Sequence, residues 1–115
     1  MIRGRGITLG GGNLPDVYIK DGNNSTTRYN VSGTSDMTVT TEVTLPEGAI
    51  VLKVSRGTSV YTATSSSQTG KWSVPDFSTS STYTISGNTV SDRFTYTVSS
   101  PYAGIRLYLI VAYTY

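Results

Sequence analysis

The sequence predicts an all-β protein, an antiparallel β-sandwich of about seven to nine short strands. Ser and Thr together account for 35 of the 115 residues, and Thr, Tyr and Val favour strands. Apolar and polar residues alternate in several segments, and Gly, Pro or Asn interrupts the chain at intervals of about ten residues. No segment carries a helical period. The arrangement of the strands, immunoglobulin-like or jelly-roll-like, is left open.

Two regions of the chain differ in composition. Residues 1–16 are predicted as a Gly-rich N-terminal arm, and residues 17–115 as a single β-sandwich domain of ordinary length. In the arm, five glycines surround Ile2, Ile7 and Leu9, and glycine raises the entropic cost of ordering a strand. We therefore expect the arm to anchor the protein to a neighbour, with Ile7 and Leu9 as contact residues.

The first half of the domain predicts three strands and a further strand candidate at 29–31, ended by Gly33. Residues 17–20 are a short strand candidate, followed by a turn at 21–24. The clearest alternation runs from 37 to 45, where one face carries Met37, Val39, Thr41, Val43 and Leu45. Because this period of two is typical of a half-buried strand, we expect that face in the core. The next strand covers 50–54 and is predicted to close at Gly57.

The second half predicts further strands at 60–65, at 71–74, around 83–85 and at 93–98. The last one, 105–115, differs from the others because both of its faces are largely apolar. A strand of this kind is predicted to be central or covered by a partner.

In a domain of this size, we expect only one face of this last strand to be fully buried by the domain itself. The other face bears Tyr108, Ile110 and Ala112. We predict that this face contacts another subunit, with tyrosine at the rim of the contact. A homo-oligomer is therefore expected.

Enzymatic activity is not expected. The chain has no His and no Cys, which removes the groups most used in acid–base, thiolate and metal chemistry. The carboxylates are expected to shape turns rather than to form a catalytic pair or a metal site. They are Asp16, Asp21, Asp36, Glu42, Glu47, Asp76 and Asp92. No cofactor is predicted.

Charge and hydropathy limit the partners. The net charge is +2, and the nine basic residues stand scattered, so nucleic acid is an unlikely partner. The longest apolar stretch, 107–113, is too short to span a bilayer as a helix. We expect no membrane insertion.

Several aromatic residues are candidates for ligand contact. They are Tyr61, Trp72, Tyr83 and Tyr102. Tyrosine and tryptophan rings can stack on sugar rings, which makes a cell-surface glycan a possible ligand. For Trp72 the favoured interpretation is a core residue between the two sheets, whose change to Ala would cost about 3–5 kcal/mol. The tyrosines are left undecided between a ligand platform and the rim of the core.

One stretch resembles the bacterial immunoglobulin-like repeats. It reads Ala49-Ile50-Val51-Leu52-Lys53-Val54, then Ser59-Val60-Tyr61-Thr62-Ala63-Thr64, a polar turn ending in Gly70, and Lys71-Trp72-Ser73-Val74-Pro75. The match covers about a quarter of the chain. The chain departs from the family in its Gly-rich arm and in its long apolar last strand. Such modules occur in bacterial adhesins and on bacteriophage capsids and tails, so the resemblance implies a surface or virion protein.

Two functions are carried forward. The first is a non-enzymatic virion structural protein of a bacteriophage, of capsid-decoration or tail-fibre type, with capsid or tail proteins and further copies of itself as partners. The alternative is a carbohydrate-binding module or lectin-like adhesin domain that uses surface Tyr and Trp. The first places the protein in the virion, and the second places it outside the cell or on the bacterial surface.

Overall fold

The computed structural model describes residues 16–68 and 71–115. Within them, seven strands form two antiparallel sheets that pack face to face, which confirms the predicted all-β sandwich. The strands are β1 (Tyr18–Arg28), β2 (Ser35–Thr44), β3 (Ile50–Ala63), β4 (Asp76–Thr79), β5 (Thr84–Ser86), β6 (Thr89–Val98) and β7 (Tyr102–Thr114). The first sheet has the order β1-β7-β3-β4, and the second has the order β2-β6-β5.

The first and last of these strands are neighbours. β1 pairs with β7 and β2 pairs with β6, both antiparallel, so the chain returns along itself as it does in a jelly roll. In the constant-type immunoglobulin sandwich, the first strand instead shares a sheet with the second, fifth and fourth. Of the two arrangements that the sequence left open, the pairing follows the jelly-roll-like one.

Strand β2 shows how alternation builds the core. Its side chains alternate between buried and exposed, and the buried ones are those that the sequence assigned to one face. They are Met37, Val39, Thr41 and Val43, continued after the strand by Leu45. The polar member, Thr41, donates its hydroxyl to the Leu107 carbonyl of the facing sheet at 2.7 Å. Its burial therefore leaves the hydroxyl satisfied.

Strand β7 lies between β1 and β3, which confirms the prediction of a central last strand. Its odd-numbered side chains point into the sandwich, and Ile105, Leu107, Leu109 and Val111 are fully buried. They belong to two core clusters that together run the length of the strand. Its even-numbered side chains face away from the second sheet and are half-buried.

Two predicted strand ends are wrong. Residues 21–24 are typical of a turn, but they lie within β1 and pair throughout with β7. Gly57 does not close a strand, because β3 continues to Ala63. Each of these glycines instead permits a close approach: Gly22 lies under the Glu42 carbonyl, and Gly57 lies under the ring of Phe77. A glycine within a strand can mark a close approach of another group, and sequence alone does not distinguish this role from a turn.

The expectation that Trp72 is a core residue between the sheets is also wrong. Trp72 is half-buried and belongs to neither core cluster. Its ring lies over Gly104, on the side of the first sheet that faces away from the second. The predicted strand at 71–74 is not a strand but a segment docked on β3, held by the Ser73 N–H, which donates to the Val60 carbonyl at 2.8 Å.

The carboxylates do not gather at turns as predicted. Five of them lie in strands: Asp21 in β1, Asp36 and Glu42 in β2, Asp76 in β4 and Asp92 in β6. Alternation explains the difference, because a strand with one face in water accepts a charged side chain at any outward position. Asp76 and Asp92 are on the inward sides of their sheets, but Asp76 is exposed on the edge strand β4, whereas Asp92 is buried.

The side chains of β1 close one side of the sandwich. β2 is the edge of the second sheet. Lys20 Nζ donates to the Thr44 carbonyl at 2.6 Å, and Asn24 Nδ2 donates to the Thr40 carbonyl at 2.9 Å. Gly22, between them, allows the two backbones to come close, since a Cβ there would lie 3.2 Å from the Glu42 oxygen. These contacts blunt the exposed edge of β2.

Arg28, at the end of β1, fixes the neighbouring loops. The side chain is buried, and its guanidinium donates to the carbonyls of Val31, Gly33, Val98 and Ser100 and to the Ser35 hydroxyl, at 2.7–3.4 Å. One cation therefore joins β1, the loop to β2, and the turn between β6 and β7. Five donors in a fixed plane are what this arrangement requires.

Candidate functional site

The candidate site is the outer face of the first sheet, the side that faces away from the second sheet. Its centre is the even-numbered side of β7, with the residues that pair with it on β1 and β3. This side holds an aromatic cluster towards one end and apolar side chains towards the other. The sequence predicts part of each set as site residues, Tyr61, Trp72 and Tyr108 in the first and Ile110 and Ala112 in the second.

The aromatic cluster consists of Tyr61, Trp72, Phe77, Arg106 and Tyr108. The Tyr61 and Trp72 rings meet edge to face, with centroids 4.8 Å apart. The Arg106 guanidinium lies 4.3 Å from the centroid of the Trp72 ring, a cation–π distance. Arg106 also donates to the Tyr108 hydroxyl at 3.0 Å. Phe77 extends the cluster across the sheet, 6.1 Å from Tyr108.

Two glycines make room for these rings. Gly104 pairs with Tyr61, and a Cβ on Gly104 would overlap the rings of Tyr61 and Trp72. Gly57 pairs with both Tyr108 and Phe77, and a Cβ there would overlap the Phe77 ring. The rings therefore lie directly against bare backbone. This arrangement covers the glycines in the same way that aromatic rings rescue glycine in designed sheets.

The apolar end of the outer face consists of Val17, Ile19, Ile50, Leu52, Ile110 and Ala112. Ile19 pairs with Ala112, which pairs in turn with Lys53, and the inserted residue Leu52 lies at a bulge beside them. Val17, Ile19, Ile50 and Leu52 expose between 51% and 63% of their surface. Large aliphatic side chains exposed together mark a contact surface.

A tyrosine group borders this end. Tyr18, Tyr113 and Tyr115 lie within 5.3–5.9 Å of one another, centroid to centroid. Tyr113 is buried, whereas Tyr115 is largely exposed. Tyrosine rings with one apolar and one hydrated side suit the rim of an interface.

The structure brings most of the predicted site residues together. Tyr61, Trp72 and Tyr102 share the outer face with Tyr108, Ile110 and Ala112. Tyr83 does not, because it packs against the core cluster that contains Val43 and Leu45. Ile7, Leu9 and most of the predicted arm lie outside the described residues.

Sequence reasoning missed Arg106 and Phe77. Arg106 stands between apolar residues on a strand that reads as buried, and only its neighbour Tyr108 was noticed. The signal that could have found both was the position of Gly57 and Gly104 within long strands, since an inner-strand glycine often marks a ring or backbone that approaches closely.

A second polar group lies between the sheets. Asp92 is buried and accepts hydrogen bonds from the Ser80 and Thr82 hydroxyls, both at 2.7 Å, and from the Arg93 N–H at 2.8 Å. Arg56 Nε lies 3.7 Å from its carboxylate. Burial acts to raise the pKa of Asp92, but the hydrogen bonds and Arg56 together outweigh it, so the pKa lies below its ordinary value. These contacts make the group structural.

The outer face of the second sheet has a different character. Its strands pair hydroxyl with hydroxyl across the ladder: Thr38 with Thr95 at 3.0 Å, Thr44 with Thr89 at 3.3 Å, and Thr84 with Ser91 at 3.0 Å. Thr97 donates to Asp36 at 2.6 Å. Cross-strand pairs of this kind stabilise a sheet that faces water, so this side offers a hydrated surface.

No group of acidic side chains among the described residues has the arrangement of a metal site. Nor does this part of the chain contain a helix with the length and apolar character needed to cross a membrane. Comparison of the chain with family models, with curated proteins and with solved structures gives no match.

Proposed function

We propose that this chain is a non-enzymatic structural protein of a bacteriophage particle, of capsid-decoration or tail-fibre type, that acts through protein–protein contact. The observation that carries the proposal is the apolar end of the outer face. Four of its aliphatic side chains, Val17, Ile19, Ile50 and Leu52, are more than half exposed, although covering the exposed part of each would contribute about 1–1.5 kcal/mol. A protein assembled with copies of itself or with capsid or tail proteins would cover this surface.

Under this proposal the two outer faces have different roles. The apolar end of the first sheet meets the particle or another copy, and the hydroxyl-paired face of the second sheet is turned to solvent. Sheets with one hydrated side remain dissolved when they are displayed in many copies, because paired hydroxyls present no apolar patch.

The test is the protein content of purified particles. Particles are isolated from a host that carries this gene and are analysed by quantitative mass spectrometry and by antibody labelling in the electron microscope. We expect the chain at a fixed number of copies per particle, on the capsid or on the tail. Its absence from particles that infect normally would contradict the proposal.

Glycan binding is the second candidate, favoured by one observation. Tyr29 is 71% exposed and meets Tyr102 edge to face at 5.0 Å, beside the aromatic cluster. A glycan array on the purified chain tests it, with Tyr102→Ala as the variant and Ile85→Ala, on the second sheet, as the control. Specific binding that Tyr102→Ala removes and the control keeps would support this candidate.

A further inference from the structure

The apolar end lies where the chain enters β1. Val17 and Ile19 belong to it, and the fifteen residues before Asp16 lie outside the structure. We propose that the apolar end of one molecule binds residues 5–9 of a second copy, the sequence Arg5-Gly6-Ile7-Thr8-Leu9, in an extended conformation. This inference rests on the proposed function, for which it names the partner as another copy of the same chain.

The surface to be filled has a defined pattern. Across the sheet, Ile19 lies beside Ala112, and the next outward row places Asp21 beside Ile110. Outward residues that are two apart along a strand are separated by about 6.5–7 Å. Along the chain into β1, Val17 and Ile19 are therefore two adjacent outward apolar positions, and Asp21 is the next outward position.

Residues 5–9 carry the matching pattern. In an extended backbone, Arg5, Ile7 and Leu9 point to the same side because side chains alternate. Ile7 and Leu9 match the spacing of the two apolar positions, and Arg5 then falls towards Asp21. The ion pair described within residues 16–68 and 71–115 joins Arg56 to Asp92, which leaves the Asp21 carboxylate available for Arg5.

Chain length allows the segment to bind a second molecule. Proline at position 15 disfavours helical backbone at Leu14. The ten residues from Leu9 to Ile19 reach about 33 Å when extended. This length is enough to place Leu9 on an adjacent copy.

The first experiment measures self-association of the purified full-length chain by sedimentation velocity over a range of concentrations. We expect Leu9→Asp and Ile19→Asp each to weaken association by more than about tenfold, because each places a charge in an apolar contact. Ile2→Asp is the matched control, since Ile2 lies on the other side of an extended arm. Wild-type protein that stays monomeric, or a Leu9→Asp protein that associates like wild type, would overturn the inference.

The charge pair gives a second measurement. Asp21→Arg alone and Arg5→Asp alone should both weaken association, and the double variant should restore it. A double variant weaker than either single one would remove Arg5 from the contact and overturn the assigned register.

Mixing the two variants tests whether the segment of one molecule binds the apolar end of another. Leu9→Asp protein keeps the surface and Ile19→Asp protein keeps the segment, so the mixture should form a heterodimer at concentrations where each variant alone is mostly monomeric. If the wild type associates but the mixture does not, two copies meet in another way and the segment is not the occupant. Because no particle is present, failure here leaves the virion proposal standing, and absence from virions leaves a positive mixing result intact.

Discussion

Asp92 and Arg28 are two buried charged residues that are held in opposite ways. Asp92 has three hydrogen-bond donors and the nearby charge of Arg56 around one carboxylate, whereas Arg28 has five acceptors around one guanidinium and no carboxylate among them. In both cases the polar groups come from more than one segment of the chain. Each residue therefore holds several parts of the chain together through its hydrogen bonds, and its loss leaves several polar groups unpaired at once.

For Asp92 we predict a stability that depends on pH. Its pKa is lower in the folded protein than in the unfolded chain, where it is about 3.9, so the carboxylate stabilises the fold above that value. The contribution is lost as the pH falls through the folded-state pKa. Urea midpoints measured between about pH 7 and about pH 2 should fall more steeply for wild type than for Asp92→Asn. Parallel curves would contradict this prediction.

For Arg28 we predict that Arg28→Met lowers the free energy of unfolding by at least about 2 kcal/mol, since several carbonyls lose a charged donor. Arg28→Lys should recover only a small part, because an ammonium cannot reach acceptors spread in a plane. Arg93→Met, on the hydrated face, is the control. Chemical denaturation measures all three, and full recovery by lysine would show that charge alone matters.

At the scale of elements, the rings that cover glycines give a matched pair of substitutions. Gly104→Ala should displace Tyr61 and Trp72 together, at a cost of about 1–3 kcal/mol. Gly57→Ala should cost less, because Phe77 is half exposed on the short edge strand β4 and can turn aside. Fluorescence of Trp72, the single tryptophan, should shift in the first variant and change little in the second. Equal effects would contradict the assigned geometry.

Alternation of apolar and polar residues predicted the strands that have one side in water. It failed for a strand whose inward side chains make polar contacts with another strand. β2 was predicted residue by residue because its inward and outward positions differ in polarity. β1 was not, because its inward residues Lys20, Gly22 and Asn24 are polar for a tertiary reason: they seal the edge of β2. That partner lies about twenty residues away and leaves no local pattern.

The site was predicted in its parts and missed as a whole. Trp72 was assigned to the core because a lone tryptophan is usually buried, and its cover by Arg106 depends on a loop that folds back over β7. The outward position of Ile110 followed from counting by two along one strand. Counting along one strand does not show which strand lies beside it, since the register between distant segments is set by the assembled sheet.

At the scale of the whole molecule, the sides of β7 predict opposite outcomes for adjacent residues. Ile110→Asp should keep the fold, measured by circular dichroism, and should lose assembly, measured by sedimentation, because Ile110 is on the outer face. Leu109→Asp should unfold the protein, since its side chain is fully buried in the core. A folded Leu109→Asp protein or an unfolded Ile110→Asp protein would reverse the two faces.

The position of β7 also sets the order of events during synthesis. Both core clusters take their central residues from β7, so neither can form until the ribosome has released residues 102–114. Until then β1 has no partner within its sheet, and only the strands of the second sheet and the β3–β4 hairpin can pair. Topologies of this kind fold in milliseconds to seconds rather than microseconds. During that wait the strands are exposed, and their many Ser and Thr residues keep the unfinished chain hydrated.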